Sequence, residues 1–422
     1  MIKKHILYIS YDGMTDPLGQ SQVLPYLIEN SISGYQFSLI SFEKKDRFEK
    51  NKEIIQKICD ENSINWHPLN YTKNPPIVST LWDIFKMYLE TKKINKKQKV
   101  DLIHCRSYQA AEIGMMMKNN FNIPWVFDMR GFWADERIDG NIWKMSSFIF
   151  RNIYKHYKKK EIQFLTNADQ IISLTNNAKE EIISWQEKKI IDSKFKNKKL
   201  EIEVIPCCVD TDLFSNENIN SSILSKIRKE NSIKEDQFVL GYVGSIGTWY
   251  MLPEMLDFFR ELKAQKSDAL FLFITNEPAE KIITLAKSKN IAPKDLRITS
   301  CLHKDVPTYI SLFTISIYFI LPAYSKKASS PTKQGELMAM GIPIVCNANV
   351  GDADKIIADT NSGWVIHEFN EESYKNTVLQ ILNNPLPDKQ NIIKEGNKEF
   401  NLHTGALKFR KTYERILGTY RH

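Results

Sequence analysis

The stretch SSPTKQGELMAMGIPIVC, Ser329–Cys346, predicts a helix, a tight turn and a buried strand in direct succession. Ser329 or Ser330 is expected to cap the helix and Pro331 to occupy its first turn, because these residue types favour a helix start. A Gly-Ile-Pro turn then leads into a β-branched run, which is typical of a strand. A helix followed closely by a buried strand is the unit from which parallel α/β sheets are built.

The same alternation of short apolar strands and helical segments runs along the whole chain. In the first half, strands are predicted at residues 5–10, 35–42, 100–105, 124–129, 170–175 and 201–207. In the second half, they are predicted at residues 238–245, 269–275, 296–300, 315–321 and 343–347. Each series opens with a strand that runs into a glycine-bearing loop and then a helix, so the fold class is α/β with two doubly wound domains.

Composition agrees with two soluble domains, since 42% of the 422 residues are hydrophobic and 26% are charged. The six cysteines show no metal-ligand spacing, which indicates free thiols in a reducing compartment. No apolar run approaches the roughly 18 residues of a membrane span. The amino-terminal apolar run is too short for a signal peptide and reads as a first strand. We therefore expect a cytoplasmic protein.

Positive charge is concentrated in the first half of the chain. Residues 1–200 carry 32 Lys and Arg against 23 Asp and Glu, an excess of +9, while the remainder carries −1. Segment 143–160 mixes aromatic and aliphatic residues with Lys155, Lys158, Lys159 and Lys160, which is typical of a helix on anionic lipid. An ordinary solvated helix is the alternative. Nucleic-acid binding is not expected, because no recognition motif accompanies the charge.

Lys333 and Glu336 interrupt the apolar helix of the opening stretch. A helix start offers N–H groups and a positive dipole end to an anion, and an exposed Lys333 there would add a full charge. Glu336, three residues on, faces the same side and can accept two ribose hydroxyls. Lys333, Glu336 and residues 329–332 are therefore a candidate binding site for a nucleoside diphosphate. The alternative is one Lys–Glu pair on the helix surface.

Several motifs together resemble the retaining glycosyltransferases of family 4, which have the GT-B fold. ELMAMGIPIV resembles that family's EAMAxGxPVV segment, and IPCCVDTDLF and VDLIHCRSY resemble two others. SSPTKQGELMAMG, FDMRGFWADER and SYDGMTDPLGQSQVLPYL are similar to a bacterial surface-polysaccharide subset of the family.

The resemblance implies two Rossmann-like domains facing each other across a cleft. Residues 1–207 would bind the acceptor and residues 208–403 the donor, and a helix at about 404–422 can pack back onto the first domain. It further implies transfer of a sugar from a nucleotide-diphosphate donor, a UDP-sugar, to a lipid-linked surface glycan of the lipopolysaccharide, O-antigen or capsule type. Such an enzyme needs neither metal nor other cofactor, and would be peripheral on the cytoplasmic face of the inner membrane.

The resemblance assigns roles to residues in both halves. The catalytic candidates are Lys333, Arg130 and Asp128, where Asp128 orients an acceptor, acts as a base, or serves only to hold Arg130. The candidates for donor contacts are Glu336, Ser329, Ser330, Pro331, Thr332, Gly244, Ser245, Gly247 and His303. The candidates for acceptor contacts are Gly19, Gln20, His104 and Arg106. His303 can instead be a structural loop residue.

The chain also departs from the family pattern. Glu336 matches the second glutamate of the family's E-x7-E motif, but Ala328 stands at the first. The family's loop Arg and Lys fall at Ser245 and about Tyr250, and its first-domain histidine falls near Arg130. These replacements leave open a GT-B nucleotide-sugar epimerase and a non-catalytic GT-B protein that binds a glycan or a partner. The two Asp-x-Asp sequences, at residues 210–212 and 352–354, are expected to form turns rather than a metal site.

Overall fold

The computed structural model describes residues 4–75, 77–188 and 200–418. The chain divides into two compact units. The first contains the described residues up to Pro206 together with those from Leu402 onwards, and the second is Cys207–Asn401.

The described residues of the first unit form a parallel seven-stranded sheet in the order β3-β2-β1-β4-β5-β6-β7. Its strands are β1 (Lys4–Ser10), β2 (Tyr35–Glu43), β3 (Ile64–Asn70), β4 (Leu102–Arg106), β5 (Trp125–Asp128), β6 (Gln170–Ser173) and β7 (Ile202–Val204). The strand order reverses between β1 and β4. Loops that leave these two strands therefore diverge and open a crevice at the carboxyl edge of the sheet.

The second unit repeats this plan with a parallel six-stranded sheet in the order β10-β9-β8-β11-β12-β13. Its strands are β8 (Val239–Val243), β9 (Leu270–Ile274), β10 (Leu296–Thr299), β11 (Ile315–Tyr318), β12 (Ile344–Asn347) and β13 (Gly363–Ile366). Here the reversal lies between β8 and β11. The central strands β8, β9, β11 and β12 are buried along their whole length.

Helices connect the strands in both units. The first unit contains α1 (Pro17–Gln22), α2 (Leu24–Ile32), α3 (Lys45–Glu61), α4 (Val78–Lys97), α5 (Ser107–Phe121), α6 (Trp133–Asp139), α7 (Phe148–Asn167) and α8 (Asn176–Glu187). The second contains α9 (Ser221–Glu230), α10 (Leu252–Gln265), α11 (Ala279–Ser288), α12 (Val306–Ile310), α13 (Thr332–Ala339), α14 (Ala353–Asp359), α15 (Glu371–Asn383) and α16 (Lys389–Phe400). The last helix, α17 (Leu402–Ile416), belongs to the first unit.

Helix α17 completes the core of the first unit by packing on α2. Tyr26 stacks on Phe409 with ring centroids 4.9 Å apart, and the Asn30 side-chain amide donates to the Ala406 carbonyl at 3.2 Å. Tyr413 on the same helix is fully buried.

Every strand predicted from an apolar run is present, and the sequence missed only β3 and β13 among the described strands. Both missed strands lie at the edge of a sheet. An edge strand can hold residues such as Pro68 and His67 in β3, because one side of its backbone has no partner strand. The continuous apolar run by which the buried strands were recognised is therefore not required there.

The prediction for segment 143–160 needs correction. Lys158 forms ion pairs with Asp135 and Glu161, and Lys160 pairs with Glu112 at 2.7 Å, so these two cations hold the protein together rather than facing lipid. Lys155 and Lys159 are exposed. Among the described residues, no helix has the length and apolar character to cross a bilayer.

Candidate active site

Helix α13 carries the predicted Lys333 and Glu336, but its start differs from the prediction. The N-cap residue is Pro331, and no side chain caps the helix. Ser330 is used elsewhere, since its Oγ accepts a hydrogen bond from the Cys207 N–H at 3.0 Å. The N–H groups of the first turn, which begins at Thr332, are thus not covered by Ser329 or Ser330.

Lys333 was expected to be exposed and is instead buried, with 7% of its surface accessible. Its Nζ lies 3.7 Å from the ring centroid of Tyr250 and 4.0 Å from that of Tyr242. No described residue offers this ammonium a hydrogen-bond partner. Aromatic faces attract a cation, but they do not replace the hydrogen bonds that an ammonium makes in water.

The ionisation of Lys333 and Glu336 reflects this desolvation. Burial lowers the pKa of Lys333 well below its ordinary value, and the charge of Glu336 opposes that shift only in part. Burial likewise raises the pKa of Glu336 to about 7, against the pull of Lys333. Both groups are therefore displaced towards their neutral forms, a perturbation of the kind that clusters at functional sites.

The loop after β8 lies directly over the Lys333 ammonium. Gly244 has a φ of +106°, and a Cβ built there would lie 3.4 Å from Lys333 Nζ, so glycine leaves this approach open. The Tyr242 hydroxyl donates to the Ser245 carbonyl at 2.6 Å, and Ser245 Oγ accepts from the Gly247 N–H at 3.2 Å. These bonds fix the predicted loop residues around the lysine.

The same loop is tied to the segment that follows β11. The Met251 N–H donates to the Phe319 carbonyl and the Leu321 N–H to the Trp249 carbonyl, both at 2.9 Å. Since β8 and β11 flank the point where the strand order reverses, Lys333 and its aromatic rings lie at the position where doubly wound sheets bind ligands.

His303 and the two Asp-x-Asp sequences, also predicted in the second unit, make ordinary structural contacts. His303 follows the edge strand β10 and packs against the Phe214 ring, with centroids 5.7 Å apart. Asp210 accepts the N–H groups of residues 212 and 213, which is a turn. Asp354 accepts the Asn349 N–H at 2.9 Å. Within the described part of the chain, no group of three or more His, Cys, Asp or Glu is arranged to hold a metal ion.

In the first unit, His104 in the middle of β4 and Asp128 at the end of β5 lie close together, and both are fully buried. His104 Nδ1 lies 2.8 Å from the Tyr413 hydroxyl, and Nε2 lies 3.4 Å from Asp128 Oδ2. Burial lowers the pKa of His104, so a neutral ring that accepts from Tyr413 and donates to Asp128 fits both contacts. Because the ring has no accessible surface, we assign His104 a positioning role rather than an acceptor contact.

Two arginines surround the Asp128 carboxylate. Arg130 Nη1 lies 3.7 Å from Oδ1 and Arg106 Nη1 lies 3.9 Å from Oδ2. Burial alone would raise the pKa of Asp128, but Arg130, His104 and Arg106 outweigh it and lower that pKa below its ordinary value. Arg130 has a φ of +55°, a backbone conformation that non-glycine residues adopt rarely and that clusters at functional sites. The Asp128 carboxylate thus lies beside both arginines and has no accessible surface, an arrangement that fits the structural role among those predicted for it.

Asp12 is a site residue that sequence reasoning missed. It follows β1 at the reversal point, and its Oδ2 accepts from Arg106 Nε at 3.2 Å while 43% of its side chain remains exposed. It is thus an accessible carboxylate beside the buried Arg106. Its position at the end of a first strand before a glycine loop was the available signal.

The loop after Asp12 is held by Glu43, which was also missed. Its buried carboxylate accepts the N–H groups of Met14 at 2.8 Å and Thr15 at 3.0 Å. Gly19 is buried against this loop, and a Cβ there would lie 2.2 Å from the Gly13 carbonyl oxygen. Gln20 is exposed and donates to the Thr15 carbonyl at 3.3 Å.

Comparison with known proteins assigns a family model to each half of the chain. Residues 31–213 match the model of Glycosyltransferase Family 4, and residues 225–399 match that of Glycosyl transferases group 1. A search of curated proteins by sequence found no match.

Solved structures show the same fold over the whole chain. A sucrose-phosphate synthase from Thermosynechococcus elongatus superposes with a TM-score of 0.71 at 15% identity, covering 99% of this chain and 100% of that one. WaaG, a glycosyltransferase involved in lipopolysaccharide biosynthesis, superposes with a TM-score of 0.65 at 16% identity, covering 98% of this chain and 100% of that one. A UDP-N-acetylglucosamine 2-epimerase superposes with a TM-score of 0.61 at 10% identity, covering 100% of this chain and 98% of that one.

These likenesses identify a GT-B fold but not an activity, since the epimerase shares it. The two family models that match the chain both describe glycosyltransferases. Together they indicate that the chain is a nucleotide-sugar glycosyltransferase of the GT-B type.

Proposed function

We propose that the protein is a retaining, metal-independent glycosyltransferase that moves a sugar from a UDP-sugar to a growing, lipid-linked bacterial surface glycan. It would act at the cytoplasmic face of the inner membrane. The single observation that carries the donor side of this proposal is Lys333 Nζ, a buried ammonium that has no hydrogen-bond partner among the described residues.

An ammonium in such a place is costly unless a ligand supplies the missing charge. A nucleotide diphosphate supplies it, and the first-turn N–H groups of α13 add donors that point the same way. Glu336, one helical turn from Lys333, is then available to accept ribose hydroxyls. In this proposal Ser329, Ser330, Pro331 and Thr332 line the diphosphate site. Thr332 supplies a first-turn N–H, whereas Pro331 has none and the Ser329 N–H already donates to the Lys326 carbonyl.

The reaction breaks the bond between the anomeric carbon and the β-phosphate oxygen, and it forms a bond from the acceptor hydroxyl to the same carbon. The hydroxyl proton passes to the departing phosphate oxygen when attack occurs from the face that the phosphate leaves, which retains the configuration. Negative charge develops on the diphosphate, where Lys333 and the α13 N–H groups stabilise it. No carboxylate pair of the glycosidase kind is then required.

The first unit is proposed to bind the acceptor. Asp12 is accessible, and Arg106 and Arg130 are held by Asp128, so the carboxyl edge of this sheet presents both charges at its reversal point. Arg130 is proposed to stabilise charge in the transition state, and Gln20 to contact the glycan. WaaG, which has the same fold, acts in lipopolysaccharide biosynthesis and supports an acceptor of the surface-glycan class.

Two rival functions have distinct signatures. The epimerase alternative is favoured by the structural similarity to a UDP-N-acetylglucosamine 2-epimerase. The non-catalytic alternative is favoured by Ala328, which stands where the family has its first glutamate. An epimerase converts its nucleotide sugar with no acceptor present. A binding protein takes up its glycan or partner and consumes no donor.

The test begins with a panel of nucleotide sugars and the melting temperature of the protein, because a bound ligand stabilises the native state. We expect a UDP-sugar to raise it, and Lys333→Met to abolish the shift. The stabilising donor is then incubated with a lipid-linked acceptor, and the anomeric configuration of the product is read by NMR. An inverted product would refute retention, and a panel without any shift would favour the non-catalytic alternative.

A further inference from the structure

Helix α4 of the first unit buries polar residues beside the apolar Met87 and Ile94, and it exposes most of its large apolar side chains. Its buried positions include Ser79, Asp83 and Thr91. Its large apolar side chains are between 47% and 62% exposed, namely Val78, Leu81, Trp82, Phe85 and Leu89. Spacings of three and four residues place these five on one side of the helix, and we call them the α4 stripe. A helix that only covers a sheet has the opposite arrangement.

Contacts of Asp83 enforce this orientation. Its carboxylate is fully buried and accepts the Tyr11 hydroxyl at 2.9 Å and the Thr72 N–H at 3.0 Å, while Lys86 Nζ lies 2.8 Å away. Hydrogen bonds to a charged group are the strong ones. Lys86 lies on α4 itself, but Tyr11 and Thr72 do not, so rolling α4 to bury its stripe would break the bonds to those two residues. The exposure of the stripe is therefore a stable property of the fold.

The charges on α4 indicate what covers the stripe. Beyond Leu89 the exposed surface is cationic, with Lys92, Lys93, Lys96 and Lys97. The two acids of the helix are Asp83, which is buried, and Glu90, which pairs with His67 at 3.0 Å and with Lys93 at 3.5 Å. Lys92, Lys96 and Lys97 are thus left to face an anionic surface. An apolar stripe that includes a tryptophan and continues into a run of exposed lysines matches the acyl boundary and anionic headgroups of a bilayer. The same lysines would repel a second copy of this chain.

A second exposed apolar segment lies in the same helix layer. Helix α5 packs against both α4 and α7, so the three helices cover one face of the sheet. The segment that leads into α7 exposes Ile142, Met145, Phe148 and Ile149. Helices that return from the end of one parallel strand to the start of the next begin at the carboxyl edge of the sheet. The α4 stripe and this segment therefore lie towards the same edge as Asp12.

We propose that the α4 stripe and residues 142–149 dock the first unit on an anionic lipid bilayer. The lipid-linked acceptor of the proposed function gives this docking its purpose, but lipid binding itself can be measured without turnover. Because Tyr11 joins Asp83 of α4 to the loop that holds Asp12, docking would bring the acceptor end of the sheet to the membrane surface.

Flotation of the full chain with vesicles of phosphatidylcholine and phosphatidylglycerol tests the proposal. We expect the wild type to float at low salt and to float less with pure phosphatidylcholine or at high salt, which screens the lysines. The double variant Trp82→Ser/Phe85→Ser should lose at least ten-fold in partitioning. The matched control is Ile54→Ser, which removes an equally exposed aliphatic side chain on α3.

Turnover on a short soluble acceptor separates docking from function. We expect the double variant to keep it, because the stripe lies outside the donor and acceptor residues. If the wild type floats but shows no turnover, the proposed function is contradicted and the docking proposal is not. Equal flotation of wild type and double variant would overturn the docking proposal. So would a wild type that does not float but forms dimers that the double variant loses.

Discussion

Lys333 is the residue whose replacement should separate stability from activity. In Lys333→Met we expect transfer to fall about 10²–10³-fold, the usual cost of removing one group that stabilises a departing charge. The melting temperature should hold or rise, because the variant no longer buries an ammonium without hydrogen bonds. Steady-state transfer and thermal unfolding measure the two effects.

The control for this variant is Lys355→Met, which replaces a lysine on α14 whose side chain is 78% exposed. It should match the wild type in both measurements. A Lys333→Met protein with normal transfer would remove this residue from the leaving-group role, and one with normal transfer and a lower melting temperature would make it structural.

Glu336 should give donor binding a pH dependence centred near pH 7. The pKa of its carboxyl is raised to about 7, so the ionised form that accepts ribose hydroxyls becomes populated as pH rises through that value. Affinity for a UDP-sugar, whose diphosphate does not titrate there, should increase from pH 6 to pH 8. Titration calorimetry should show this rise in the wild type and not in Glu336→Gln. A rise that persists in the variant would assign it to another group.

The same shift affects stability in the opposite direction. The native carboxyl is harder to ionise than the unfolded one, whose pKa is near 4.5, so its contribution to the free energy of unfolding falls between about pH 4.5 and pH 7. Relative to wild type, Glu336→Gln should therefore gain on the order of 2 kcal/mol in going from pH 5 to pH 8. Urea unfolding at the two pH values measures this difference, and an unchanged difference would contradict a raised pKa.

For single residues, the sequence predicted which side chains belong to the site better than it predicted their burial and contacts. Lys333 and Glu336 were recognisable as charges inside an apolar helix, but the burial of Lys333 comes from Tyr242 and Tyr250, which are distant in sequence. Asp12 follows the first strand and Glu43 ends the second, and a single acid at a strand end is only a weak signal. Their roles follow from tertiary neighbours that sequence spacing does not reveal.

Among elements, the contact between α13 and α16 should control the position of Lys333. A Cβ at Gly396 would lie 2.7 Å from the Met338 Cβ and 3.0 Å from its carbonyl carbon, so Gly396→Ala forces the two helices apart. Overpacking of this kind costs about 1–3 kcal/mol. Unfolding midpoint and donor affinity should fall together, whereas Lys398→Ala on the exposed side of α16 should change neither. Loss of stability with intact donor affinity would show that α13 does not move.

Element types were predictable where burial is two-sided. The interior strands are marked by apolar runs, whereas the edge strand β3 mixes polar and apolar residues and the apolar part of β13 is only three residues long. Helix α4 shows a further limit, because an amphipathic pattern identifies a helix without telling which side faces the core. That choice rests on the bonds of Asp83 to Tyr11 and Thr72, which belong to the tertiary structure.

For the whole molecule, we expect transfer to survive chelation. Stabilisation of the negative charge on the departing diphosphate is assigned to Lys333, the start of α13 and Arg130 rather than to a metal ion. EDTA should therefore leave the rate of transfer within about two-fold, a small effect beside that of Lys333→Met. Transfer assayed with EDTA, and again after addition of Mg²⁺ or Mn²⁺, measures this. Full loss that either ion restores would return the Asp-x-Asp sequences, at residues 210–212 and 352–354, to consideration.

The return of α17 to the first unit has a consequence for synthesis on the ribosome. Translation completes all of Cys207–Asn401 before α17 emerges, so the second unit can close while the first still lacks its last helix. During that interval Tyr26 has no Phe409 ring to stack on, and His104 has no Tyr413 hydroxyl. The usual order, in which the amino-terminal domain finishes folding first, is therefore reversed. Until α17 emerges, the face of α2 that packs on it, which includes Tyr26, therefore stays uncovered in the nascent chain.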